Sequence, residues 1–185
     1  MYLSQYVELK ALFTENKQAL ASELDTTIAL ISNPEIRSSY MRGLREYSLK
    51  NPSDTTMTPI IAKSLKSSVG NNAYSKYAAY DALAVYKGNY EMLAKMLEED
   101  PTNRSLIKAF VECANHNQAY NDCIIQIRNI LDKSEKPEKI ILGITGLSKD
   151  EYPWIMKDFL IPHMECKGKT YSTFAQNQYK TLFSS

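Results

Sequence analysis

The chain has 185 residues, of which 23% are charged and 44% hydrophobic; these near-average values exclude wholesale disorder and fibrous classes. A net charge of +1 gives no global attraction to nucleic acid or to anionic membrane. No apolar run approaches the roughly 20 residues needed to cross a bilayer, and Met1-Tyr2-Leu3-Ser4-Gln5-Tyr6-Val7-Glu8 lacks the charged-then-apolar pattern of an export signal. A cytoplasmic protein with no membrane partner is expected. Three cysteines make an odd, sparse set that suits a reducing compartment better than a disulfide framework.

In chain order, Tyr6, Leu9, Leu12, Phe13, Ala19, Leu20 and Leu24 recur mostly at three and four residues. That spacing predicts an amphipathic helix over 3–31, with a break around Thr14 to Lys17. Asn33-Pro34, Thr58-Pro59 and Asp100-Pro101 each set a capping side chain before a proline at the first helical position, and Gly70 and Gly88 read as stops. Between these marks, helices are predicted over 34–50, 59–69, 72–87, 90–99, 102–115, 117–133, 137–146, 152–161 and 171–183. Lys139-Ile140-Ile141-Leu142-Gly143-Ile144-Thr145 also fits a strand by its β-branched content, but a lone strand would have no partner. Near Ser148 two signals conflict. Ser148 and Glu151 have capping-box spacing, whereas Pro153 would remove an amide from the first turns; a start close to Pro153 avoids the conflict.

The expected fold class is therefore all-α: packed short helical hairpins, at the extreme a small irregular α-solenoid. One domain, 1–185, is expected. It would comprise an N-terminal helical pair over 1–50, a hinge-like polar stretch over 51–76, and a helical-hairpin region over 77–185. In the last region Lys87-Gly88-Asn89-Tyr90, Ala94 and Leu97-Glu98-Glu99-Asp100-Pro101-Thr102-Asn103 resemble the second helix and exit of a tetratricopeptide repeat. In that family a glycine and an aromatic pack the hairpin and a proline ends the unit. The resemblance covers under a tenth of the chain and runs about one helical turn shorter than the family pattern. It implies stacked helical hairpins and carries over no binding residue.

Concentrated chemistry is confined to two mirror-image pairs, Cys113-Ala-Asn-His116 and His163-Met-Glu-Cys166. Thiolate and imidazole are the ligands zinc prefers in a closed tetrahedral site, and a step of three residues places both on one helix face or around one turn. Cys113, His116, His163 and Cys166 are thus candidate ligands of a structural zinc. The competing reading makes the cysteines small core residues and the histidines local hydrogen-bond partners. No Gly-x-Ser-x-Gly elbow, Walker loop, dinucleotide fingerprint or His-Glu-x-x-His is present. A cysteine nucleophile, Cys113 or Cys123 with His163, is not singled out, so the protein is expected not to be an enzyme and to need no cofactor beyond the candidate zinc.

Charge is unevenly distributed: net −2 over 1–30, +4 over 31–90 and −1 over 91–185. In the middle third, Arg37, Arg42, Arg45, Lys50, Lys63, Lys66 and Lys76 are interleaved with Tyr40, Tyr47 and Tyr74 and followed by Tyr77. Phosphates would pair with that charge and tyrosine rings would stack on unpaired bases. The nucleic-acid candidates are Arg37, Arg42, Arg45, Lys63, Lys66, Tyr74 and Lys76, set against a solvated basic face beside an aromatic core. Thirteen tyrosines against five phenylalanines suit either a protein-binding surface or a half-buried core; those in question are Tyr80, Tyr86, Tyr90, Tyr120, Tyr152, Tyr171 and Tyr179. The functional expectation is a non-catalytic helical protein that binds another protein, as adaptor, accessory factor or inhibitor. The alternative is a nucleic-acid-binding accessory protein using segment 37–77.

Overall fold

The computed structural model describes residues 30–51, 73–160 and 169–183, with Ala19, Ser22, Glu23 and Thr26 as isolated positions. The protein is all-α, with no strand among the described residues. The helices are α1 (Pro34–Lys50), α2 (Ala73–Ala84), α3 (Tyr90–Glu99), α4 (Arg104–Asn117), α5 (Tyr120–Lys133), α6 (Pro137–Thr145), α7 (Pro153–Ile155) and α8 (Lys169–Phe183). A 3-10 turn, Lys87–Asn89, precedes α3, and a π segment, Met156–Leu160, continues α7. By their internal contacts the residues form two compact units, Met1–Glu91 and Met92–Ser185. The expected helix over 59–69, the cap at Thr58-Pro59 and the stop at Gly70 lie outside the described residues.

In the first unit α1 packs on α2. Asn33 caps α1 as its spacing before Pro34 requires: its Oδ1 accepts hydrogen bonds from the amides of Glu35 (2.9 Å) and Ile36 (3.3 Å). One broad face of α1, with Ser38, Tyr40, Met41, Gly43, Leu44, Tyr47 and Ser48, is buried. From α2 come Ala79, Tyr80, Ala82, Leu83 and Ala84. Arg45 Nη1 donates to the carbonyl of Asp81, so a guanidinium joins the two helices. The stop expected at Gly88 belongs more to its neighbour. Asn89 is buried and its Nδ2 donates to the Leu83 carbonyl at 2.8 Å, closing an end that α2 leaves without an amide partner.

In the second unit α4 packs on α5 and α6, α6 on α8, and α7 on α5. The expected start at Asp100-Pro101 is corrected: Pro101 and Thr102 form a turn, and Asn103 is the cap. Its Oδ1 accepts from Ser105 (3.1 Å) and Leu106 (3.2 Å), while its Nδ2 donates to Asp100 Oδ2 at 2.9 Å. An asparagine that both caps and is itself held outcompetes the proline signal one turn earlier. Leu106, Ile107, Ala109, Phe110, Val111, Cys113 and Ala114 are buried along α4, as a helix with neighbours on two sides requires. The helix ends in a left-handed residue, Gln118 (φ 55°). The amides of Gln118 and Ala119 close back on the carbonyls of Asn115 (3.1 Å) and Ala114 (2.9 Å), a Schellman turn with glutamine where glycine is usual. That turn folds α5 back on α4 as a short helical hairpin.

The segment over 139–145 is helical. Pro137 opens α6, and Ile140, Ile141, Gly143 and Ile144 fall on one buried face. A Cβ placed on Gly143 would stand 2.5 Å from Ile107 Cδ1, so glycine is what lets α6 approach α4 this closely. Near Ser148 the structure follows the start close to Pro153, with the Glu151 amide donating to Ser148 Oγ at 3.3 Å ahead of it. The single helix expected over 152–161 is corrected: only Pro153–Ile155 is α-helical before the π segment. Arg128 of α5 donates to the Asp158 carbonyl at 3.0 Å within that wider turn.

Gln118→Gly is expected to stabilise the protein by about 0.5–1 kcal/mol, since relief of the left-handed cost exceeds glycine's extra unfolded freedom; urea unfolding reads the sign. Gly143→Ala is expected to destabilise it by about 1–3 kcal/mol, because the added methyl would stand 2.5 Å from Cδ1 of the fully buried Ile107 and force one of the two to shift. Unchanged urea midpoints for Gly143→Ala would disprove the close approach.

Candidate functional site

Of the four candidate zinc ligands, Cys113 and His116 lie on α4, and His163 and Cys166 lie outside the described residues. Cys113 faces the interior with no exposed surface, and Asn117 Nδ2 donates both to its carbonyl (2.9 Å) and to its Sγ (3.6 Å). His116 is about one-third exposed, with Nε2 3.7 Å from Glu112 Oε1 one turn back. Among the described residues no three Cys, His, Asp or Glu side chains converge on a metal-sized space. Burial pushes the Cys113 thiol up to about 12, with the Asn117 hydrogen bond pulling the other way and the Glu112 carboxylate adding to the rise. Burial, then Asp122, raises Cys123 as well. A buried thiol held neutral is a poor nucleophile.

The basic stretch is brought together only in part. Arg37 donates through Nε to the Ile31 carbonyl at 2.9 Å and through Nη2 to the same oxygen, closing the chain ahead of α1. Arg45 is held by the Asp81 carbonyl. Arg42 is exposed beside Ser39, with Nη2 3.5 Å from its Oγ. Lys63 and Lys66 lie outside the described residues, and for Tyr74 and Lys76 only the backbone, in α2, is described. Two of the three arginines thus serve backbone carbonyls.

The tyrosines divide the same way. Tyr40, Tyr47, Tyr80 and Tyr152 are at most 6% exposed, and Tyr86 and Tyr90 are half-buried. Tyr171 and Tyr179 have no described side chains. Tyr77 (59%) and Tyr120 (36%) are the exposed ones among those described. Tyr120 opens α5, and its ring meets Trp154 with centroids 4.9 Å apart and planes tilted by 53°. Trp154 is half-buried, and its Nε1 donates to Asn115 Oδ1 at 3.2 Å. Asn115, His116 and Asn117 form the last turn of α4, and Asn115 ties that turn, just ahead of the left-handed Gln118, to the aromatic pair.

The pairing of Trp154 with Asn115 carried no signal in the sequence, because the bond between them spans 39 residues. The single tryptophan, set directly after a proline, was the one available cue. No family model, curated protein or solved structure matches the chain.

The thiol shifts set a pH dependence whose sign is fixed. Above the unfolded thiol range near pH 8.5 the folded chain holds more protons than the unfolded one, so this contribution is whole below that range and falls as pH rises toward 12. Urea unfolding under reducing conditions should show wild type losing stability relative to Cys113→Ala between about pH 8 and 10. No relative loss would mean that the thiol is not neutral in the fold, as in a zinc-held thiolate. Metal analysis addresses the same point: on the zinc reading Cys113→Ser and His163→Ala each abolish stoichiometric metal, and wild type purified without metal ends that reading.

Proposed function

We propose that the protein is a non-catalytic helical module that acts by binding another protein, as adaptor, accessory factor or inhibitor, through the aromatic corner where α4 meets α5. The observation that carries this reading is the Tyr120–Trp154 pair: two large rings, part-exposed, in contact at 4.9 Å and fixed by the hydrogen bond from the indole to Asn115. Tryptophan and tyrosine supply large contact area with few rotors to immobilise and dominate the energetics of protein interfaces. Fixing the indole before binding removes part of the ordering cost that association otherwise incurs. Ile125, 53% exposed among the polar neighbours Asn121, Asp122 and Asn129 on α5, needs no such role, since single apolar residues are ordinary on surfaces.

The nucleic-acid reading retains Arg42 as its exposed arginine, while Arg37 and Arg45 are committed to carbonyls. A guanidinium bound to a carbonyl keeps its charge but loses donors that would otherwise grip a phosphate.

The test is quantitative capture of partners from host extract on wild-type protein, on Trp154→Ala and on Tyr120→Ala, with Ile36→Ala as a surface control in the other unit. A specific partner should bind wild type and the control alike and fall by about tenfold or more, or roughly 1.4 kcal/mol, with either corner variant. Equal capture by all four proteins would remove the corner from the reading. In parallel, fluorescence anisotropy with a single-stranded oligonucleotide at low salt should show no saturable binding. Binding that falls steeply with salt and weakens in Arg42→Ala would instead establish the nucleic-acid function.

A further inference from the structure

We infer that the cleft between the ends of α3 and α5 is a receptor for a small zwitterion of the α-amino-acid class with an apolar side chain. The cleft has a volume of about 190 Å³ and is lined by Glu98, Pro101, Asn129, Ile130, Lys133 and Ser134. Its chemistry is divided. Ile130 and Pro101 supply an apolar floor, Asn129 and Ser134 supply amide and hydroxyl, and one acid and one base complete the lining. Glu98 and Lys133 carry no ion pair or hydrogen bond among the described residues, so two opposite charges line the cleft without a direct contact between them.

That arrangement selects a ligand with both charges. An ammonium group is drawn to Glu98 and to the negative end of the α3 dipole, since α3 finishes at Glu99, whereas at the end of α5 the base Lys133 stands. A carboxylate is drawn to the Lys133 ammonium. Ser134 Oγ already accepts the Lys136 amide at 3.1 Å, which leaves its hydroxyl proton to donate to a bound carboxylate. A ligand bearing one charge satisfies one wall and strands the other. The volume falls below the range of drug-sized sites and suits a single small molecule. The site is separate from the aromatic corner, so its fate is independent of the protein-binding reading.

The experiment is saturation-transfer NMR and calorimetry on the full chain with L-leucine, 3-methylbutylamine and 4-methylpentanoate, the last two being leucine without its carboxylate and without its ammonium. Leucine should bind saturably with a dissociation constant near or below about 1 mM. Each single-charge analogue should bind about tenfold more weakly or not at all. Glu98→Gln and Lys133→Met are exposed substitutions expected to leave folding intact, checked by circular dichroism and thermal midpoint. Each should weaken leucine binding by about tenfold, and Lys133→Met should abolish the preference for leucine over the amine. No saturable leucine binding up to about 10 mM, equal binding of the three compounds, or unchanged binding by both variants would each overturn the assignment and leave Glu98 and Lys133 as solvated surface charges.

Discussion

The structure depends on satisfying the ends of short helices. Each α-helix leaves four amides at its start and four carbonyls at its finish without partners inside the helix. Among the described helices, of three to seventeen residues, those orphans are a large share of all backbone polar groups. Asparagines meet the demand at Asn33, Asn89 and Asn103. Arginines meet it at the Asp81 and Asp158 carbonyls. The left-handed Gln118 meets it with backbone alone. With the polar ends closed, isoleucine, leucine and tyrosine can be buried between the helices without stranding backbone groups.

This constraint changes the meaning of the basic middle third. A surplus of positive charge over 31–90 suggests a phosphate-binding surface when residues are counted along a line. In three dimensions Arg37 and Arg45 are tie-bars between segments of backbone. The tyrosine excess resolves similarly: four rings are core, where a phenol combines an apolar body with a polar tip. Among the described residues Arg42 and Tyr77 stand exposed in the first unit, and the second presents the Tyr120–Trp154 pair, with Trp154 bonded to Asn115.

Much of the fold was legible because its signals are local. Pro34–Lys50 and Tyr90–Glu99 have the bounds that capping residues and apolar spacing predict, and Pro137 and Pro153 open helices as a residue that needs no amide partner should. The failures were non-local or competitive. Asn103 displaced Asp100-Pro101 as a start because an asparagine hydrogen-bonded by its neighbour holds the cap more firmly than a proline directs the chain. The π segment had no local signal, and the bond that its Asp158 carbonyl accepts comes from Arg128, a residue of another helix. For the same reason the candidate site lay hidden: sequence spacing showed the Cys113–His116 step but gave no hint that α4's last turn would meet Trp154.

The contact between Gly143 and Ile107 reaches beyond the packing of two helices. A space shared that closely makes the two positions a single volume divided between two sites. Methylene groups gained at one must be surrendered at the other. Divergent copies of this fold should therefore accept bulk at 143 chiefly when 107 has become valine or alanine, so that the two positions drift as a linked couple while their flanking surface residues vary freely.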